Sequence, residues 1–131
     1  MKILAIDYGT VKTGLAIGDA EEKISAPYKL ISSVDQEKCI DIIASLCKKE
    51  NIELIVIGYE KRWHTSKTPY ATSFKTFIKT LKQKTKLDIV KVDESLTTKI
   101  AKQCHPDSFG ISKDALAASL ILNAYLDRLE L

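Results

Sequence analysis

Apolar and polar positions alternate along this chain in two distinct rhythms, and each rhythm predicts an element. Residues 2–6 (KILAI) form a short apolar run closed by turn residues, the mark of a buried strand. After a turn at Gly9 and Thr10, residues 14–18 (GLAIG) predict a second strand, antiparallel because the connection is so short. A third strand is expected over 23–31, with Pro27 confining it to an edge or bulged position. Ser33-Val34-Asp35-Gln36 has the spacing of a capping box. Behind it, Cys39, Ile43, Leu46 and Cys47 recur at helical intervals, and Asn51 suits the helix end.

The pattern then tightens. IELIVIG (52–58) is almost continuously apolar, as in a strand covered on both faces. Tyr70, Phe74, Phe77, Ile78 and Leu81 trace the apolar face of a helix over 70–84, and DIVKVDE (88–94) is another strand, ending in two carboxylates. A short helix is expected after Thr97, and a last one over 112–129 with Leu116, Leu120, Ile121 and Leu129 inward. Three strands, then helix–strand–helix–strand and terminal helices, predict one α/β domain over 1–131. Its mixed sheet carries helices on its faces, and its long crossovers are right-handed by rule.

Composition narrows the class. With 131 residues, 45% of them hydrophobic and 28% charged, the chain can bury a core as a single globular domain. No apolar stretch approaches a membrane span, and the opening apolar run is too short for a signal peptide. Three cysteines, Cys39, Cys47 and Cys104, suit reduced thiols in a cytoplasmic protein better than a disulfide framework. Cys104-His105 lacks the second pair that a zinc site needs.

The charge is unevenly spread. The net value is only +3, yet residues 61–86 hold eight Lys or Arg and no acid. Without those eight of the 20 basic residues, 12 face 17 acidic ones, a balance of −5. An acidic body with one basic segment points to a polyanionic partner. Lys75, Lys79, Lys82 and Lys86 lie at offsets of 0, 4, 7 and 11, one stripe of the helix that begins near Tyr70. Such a stripe neutralises phosphates without reading bases, although lysine also fills ordinary solvent faces. Trp63 and Tyr70 flank the loop before that helix and could stack on an unpaired base, and His64 is a candidate acid or base.

Three carboxylates stand just outside core elements: Asp7 after the first strand, Glu94 after the fifth, and Asp114 in the first turn of the last helix. Magnesium and manganese bind through a few carboxylates, waters and phosphate oxygens, and one or two such ions can drive phosphodiester hydrolysis. Local explanations compete at each position. Asp7 can start a turn, Asp114 complements the helix dipole, and Asp93-Glu94 can be a solvated strand end.

The motifs AIDYGTVKTGLAIGD, IVIG, VDESLTT and DALAASLILNAYLD occur in that order and together resemble the YqgF (RuvX) family over nearly the whole chain. That family comprises RNase H-like proteins described as Holliday junction resolvases and as nucleases that mature the 5′ end of pre-16S ribosomal RNA. The resemblance implies a five-stranded mixed sheet, three antiparallel strands leading and two parallel ones following. It also implies an acidic metal-binding triad at Asp7, Glu94 and Asp114, holding Mg2+ or Mn2+. Two positions depart from the family pattern: Ser95 replaces an Arg, and GYEKRWHTSKTP (58–69) replaces a loop that begins Gly-Leu-Pro.

On this reading Thr10, Lys12, Lys61, Arg62, Trp63, Lys75, Lys79 and Lys82 contact substrate, and Gly9 lets a phosphate or ion come close. Structured pre-ribosomal RNA is the first expected substrate and branched DNA the second, with the protein a monomer or weak dimer. Two rivals are weighed. DYGT is similar to the first phosphate loop of the actin, Hsp70 and sugar-kinase group, but five glycines leave no second such loop. A non-catalytic nucleic-acid-binding module of the same fold is suggested by Ser95 and the altered loop. Against it, clustered carboxylates without metal repel one another and any polyanion.

Overall fold

A computed structural model of the chain describes residues 1–22, 24–59, 69–93 and 113–129. Five strands form one sheet: β1 (Lys2–Asp7), β2 (Lys12–Asp19), β3 (Ile24–Ser32), β4 (Leu54–Tyr59) and β5 (Asp88–Asp93). Among the described residues three helices flank it: α1 (Gln36–Lys49), α2 (Pro69–Thr85) and α3 (Lys113–Leu129). The strand order is β3-β2-β1-β4-β5. β1 and β2 pair antiparallel, as do β2 and β3, whereas β4 and β5 run parallel to β1. The expected mixed sheet is therefore present, three antiparallel strands first and two parallel ones after.

β1 lies at the centre, and alternation sends its side chains to two cores. Leu4, Ile6 and Tyr8 join the cluster beneath α1 and α2 with Leu15, Ile57, Phe74, Phe77 and Leu81. Ile3 and Ala5 face α3, with Ala16, Val56, Val92, Ala118, Ile121 and Leu122. This two-sided burial explains the uninterrupted apolar runs in β1 and β4. At the edge, β3 is largely exposed and its register slips between Leu15 and Ala16, leaving Tyr28 as the extra residue beside Pro27. Both expectations for Pro27, edge and bulge, are met, and such an edge resists pairing with another strand.

Asn51 ends α1 as expected. At φ 55° it follows the cap, while the Asn51 and Ile52 amides donate to the Lys48 and Cys47 carbonyls. This is a Schellman closure with Asn in the left-handed position. The start of α1 differs from the expected capping box. Asp35 is the N-cap, its carboxylate accepting from the Lys38 amide at 3.2 Å. Ser33 and Gln36 are drawn instead into tertiary contacts near the end of β1.

The inward face of α3 also needs correction. Ala118, Ser119, Ile121, Leu122 and Leu126 are buried, whereas Leu120 is only half-buried. The side chains of Leu116 and Leu129 lie outside the described residues. The reason is the closeness of the sheet: a Cβ on Gly18 would stand 2.7 Å from Leu122 Cδ2 and 2.2 Å from the Ile24 carbonyl oxygen. A helix seated over glycine and alanine also uses small residues as core; of the expected residues Ile121 is fully buried, and Ala118, Ser119, Leu122 and Leu126 join it in place of Leu120.

Cys39 and Cys47 are buried free thiols, and burial pushes the Cys47 thiol up to about 11. No helix among the described residues is long and apolar enough to cross a membrane. The short helix expected after Thr97, and Cys104-His105, lie outside the described residues.

Candidate functional site

β1, β4 and β5 run parallel, so their carboxyl ends share one edge of the sheet, the edge at which open α/β sheets bind ligands. Asp7 is the last residue of β1, half-buried and opposite Gly14 of β2. Its parity in the strand is that of Ile3 and Ala5, which places it on the α3 face. On the same face, Leu54 and Val56 of β4 lead to Gly58, and Gly58 pairs with Val92 of β5. Across this edge the sequence Asp7, Gly58, Val92 spans β1 to β5, about 10 Å at two strand spacings. Gly58 contributes no side chain between Asp7 and Val92, and it is itself buried.

The loop after Asp7 is held from below. The Gly9 carbonyl accepts from the hydroxyls of Ser33 and buried Thr13, the latter at 3.4 Å. The Ser33 amide donates to the Val11 carbonyl at 2.9 Å. Thr10, Val11 and Lys12 are left exposed at the edge where Asp7 ends. Gly9 has a different role from the one expected. A Cβ there would lie 2.3 Å from the Lys12 carbonyl oxygen, so the close approach is that of the loop to itself.

Immediately after Asp7, Tyr8 turns to the opposite core. Its ring packs on Phe77 and Phe74, with centroids 4.6 and 5.9 Å away. Its hydroxyl shares a 2.6 Å hydrogen bond with the Ser73 hydroxyl. Gln36 Nε2 donates to the Tyr8 hydroxyl at 3.2 Å, and to the Ser73 carbonyl and hydroxyl, each at 3.3 Å. One polar node thus ties the end of β1 to the first turns of α1 and α2. Sequence reasoning missed Tyr8, Ser33, Gln36 and Ser73. The Ser33–Gln36 spacing imitates a cap, and nothing local marks the others.

The structure separates the lysine stripe from Asp7. Lys75, Lys79 and Lys82 are exposed on α2, which covers the face opposite α3. Lys86 stands one residue beyond the helix, at φ 58°, its amide donating to the Lys82 carbonyl at 2.8 Å. Lys84 points the other way and pairs with Asp41 of α1, which raises the Lys84 pKa.

Of the remaining expected site residues, Lys61, Arg62, Trp63, His64, Glu94 and Ser95 lie outside the described residues. Asp114 is the second residue of α3, and its side chain, like that of Tyr70, is also outside them. Among the described residues no three His, Cys, Asp or Glu side chains form a metal-sized cluster. What is described of the site is one hard oxygen donor, Asp7, of the kind that magnesium and manganese take.

A family model described as RuvX, Holliday junction resolvase, matches residues 1–128. A candidate pre-16S rRNA nuclease of Shouchella clausii is 34% identical over 136 residues, covering 98% of this chain and 96% of its own. Among solved structures, Thermus thermophilus RuvC in complex with a Holliday junction substrate aligns with a TM-score of 0.65 at 11% identity, covering 98% of this chain and 96% of that one. The fowlpox virus Holliday junction resolvase aligns with a TM-score of 0.59 at 14% identity, covering 98% and 99%. At such identities the two structures speak for the fold.

Proposed function

The chain belongs to the RuvX family, described as Holliday junction resolvases, and from that premise we propose that it is an endonuclease hydrolysing phosphodiester bonds in nucleic acid. We propose pre-16S ribosomal RNA, at its 5′ end, as the substrate, in line with the name of the 34% identical relative. The observation that carries the reading is Asp7, a half-buried carboxylate ending the central parallel strand, on the α3 face beside Gly58.

Two features support the other members of the triad. Glu94 follows Val92 by two residues, the period that keeps a strand residue on one face. Asp114 precedes the buried Ala118 and Leu122 at sequence intervals of four, the spacing of one helix face. From Leu122 back to Asp114 is about 12 Å of helix. From Ile3, the β1 partner of Gly18, to Asp7 is about 13 Å of strand. The two lengths are similar, which supports placing Asp114 at the level of Asp7.

Asp7, Glu94 and Asp114 would hold Mg2+ or Mn2+. When bound, these ions supply an activated water and stabilise the leaving oxygen. The chain's own groups position the scissile phosphate: Asp7 is fixed by the β1–β2 ladder, and the braced loop presents Thr10 and Lys12 to a phosphate. Lys61, Arg62 and Trp63 take the flanking nucleotides, the cations on phosphates and the indole on an unpaired base.

The test is cleavage of end-labelled RNA spanning the 5′ end of 16S, beside a four-way DNA junction, with magnesium, manganese or a chelator. Metal-dependent cutting of the RNA, absent with Glu94→Gln, is expected. Metal-dependent cutting of the junction alone would move the substrate to branched DNA. Binding without cutting in every lane would leave a nucleic-acid-binding module.

A further inference from the structure

The lysines of α2 do not border the carboxylate edge on its own face, and this placement says what they can hold. α1 lies toward β2, where Cys39 meets Thr13, whereas α2 packs over Tyr8 of β1 and on β5. Lys84 marks the side of α2 that faces α1, through its pair with Asp41. Lys75, Lys79 and Lys82 lie about 140–180° around the helix from Lys84, on the flank turned toward β5. β5 is an edge strand, and its exposed Lys91 shares the parity of Ile89, which packs beneath α1 and α2. Two elements distant in sequence thus contribute to a single basic flank. No acid occurs between residues 61 and 86; of the two acids of β5, Asp88 at its start has the opposite parity and Asp93 at its end the same parity as Lys91.

We propose that this flank, built on Lys79, Lys82 and Lys91, holds the phosphate backbone of a double-helical RNA arm that flanks the cut. The proposal rests on the nuclease reading for what lies at Asp7. Lys75 to Lys82 covers about 10 Å, a length over which a duplex carries about six charges. From Asp7 to the flank is about 10 Å across strands and a further 10 Å through the helix layer. An RNA that engages both must carry a double-helical arm spanning about 20 Å, more than about six base pairs because the A-form rise is shorter than that of DNA. The preferred substrate is therefore a strand joined to a helix, and the flank measures the helix.

Binding without metal tests this independently of cleavage. Two RNAs share the same single strand but carry a 10-bp or a 3-bp arm, and their Kd values and salt slopes are measured for three proteins. These are the unaltered protein, Lys79→Gln/Lys82→Gln/Lys91→Gln, and a control with the same charge loss, Lys29→Gln/Lys48→Gln/Lys49→Gln. Expected is about 30-fold weaker binding of the long-armed RNA by the first variant, with the salt slope lower by about 3. The short-armed RNA should show a few-fold change, and the control should keep its preference for the long arm. Equal losses on both RNAs, or an equal loss in the control, would overturn the proposal. Failure of the nuclease reading would appear only in the cleavage assay.

Discussion

The two faces of the sheet are built on different terms. Leu4, Ile6, Tyr8 and Leu15 of the sheet meet Phe74, Phe77 and Leu81 of α2, large side chains in a deep layer. Facing α3 lie Ile3, Ala5, Ala16, Val56 and Val92, with Gly18 where Leu122 comes close, and among the described residues this one helix meets all five strands. The first face adds three aromatic rings to its aliphatic side chains, whereas on the second face Ala16 and Gly18 let α3 come close to β2. One apolar period along β1 serves both, so a residue's parity decides whether it contributes to packing or to chemistry.

Two substitutions sharpen that contrast. Phe77→Ala, on the deep face, removes a fully buried ring that also supports Tyr8. It should cost about 3–5 kcal/mol in chemical denaturation, a large share of the roughly 5–15 kcal/mol of a domain. Gly18→Ala, on the close face, adds one methyl where the Ile24 carbonyl oxygen and Leu122 already stand. A loss of about 1–3 kcal/mol is expected. A neutral or stabilising result would mean that α3 rides higher on the sheet than described. A small loss for Phe77→Ala, below that of Gly18→Ala, would reverse the account of which face carries the stability.

Much of this architecture was legible in the chain. The apolar runs at 2–6 and 52–58 mark strands buried on both faces, and the short connection between the first two strands makes them antiparallel. Pro27 identifies the edge, and Asn51 the end of α1. The misreadings share a cause. Ser33 and Gln36 have the spacing of a cap, but Asp35 takes that role because their side chains gain tertiary partners at Gly9, Tyr8 and Ser73. The phase of α3 was hidden because Ala and Leu occur on several sides of the helix, and only the proximity of Gly18 selects among them. Gly9 signalled a close approach, but local sequence does not tell whether the approaching oxygen belongs to a ligand or to Lys12. Asp7 was visible as a carboxylate at a strand end. The separation of the lysines from it was not, because the face of a sheet that a helix covers is a property of topology.

The central claim is that Asp7 serves chemistry and not folding. Its most direct test is Asp7→Asn, with single-turnover cleavage of the 16S 5′ RNA and thermal unfolding measured on the same preparation. The account predicts cleavage reduced by more than the roughly 10–100-fold that the loss of an outer-shell metal partner costs. The Tm should move by no more than about 4 °C, within the shift that 1 kcal/mol produces in a domain of this size. Cleavage retained at the unaltered rate, or lost only in step with a collapse in Tm, would contradict it.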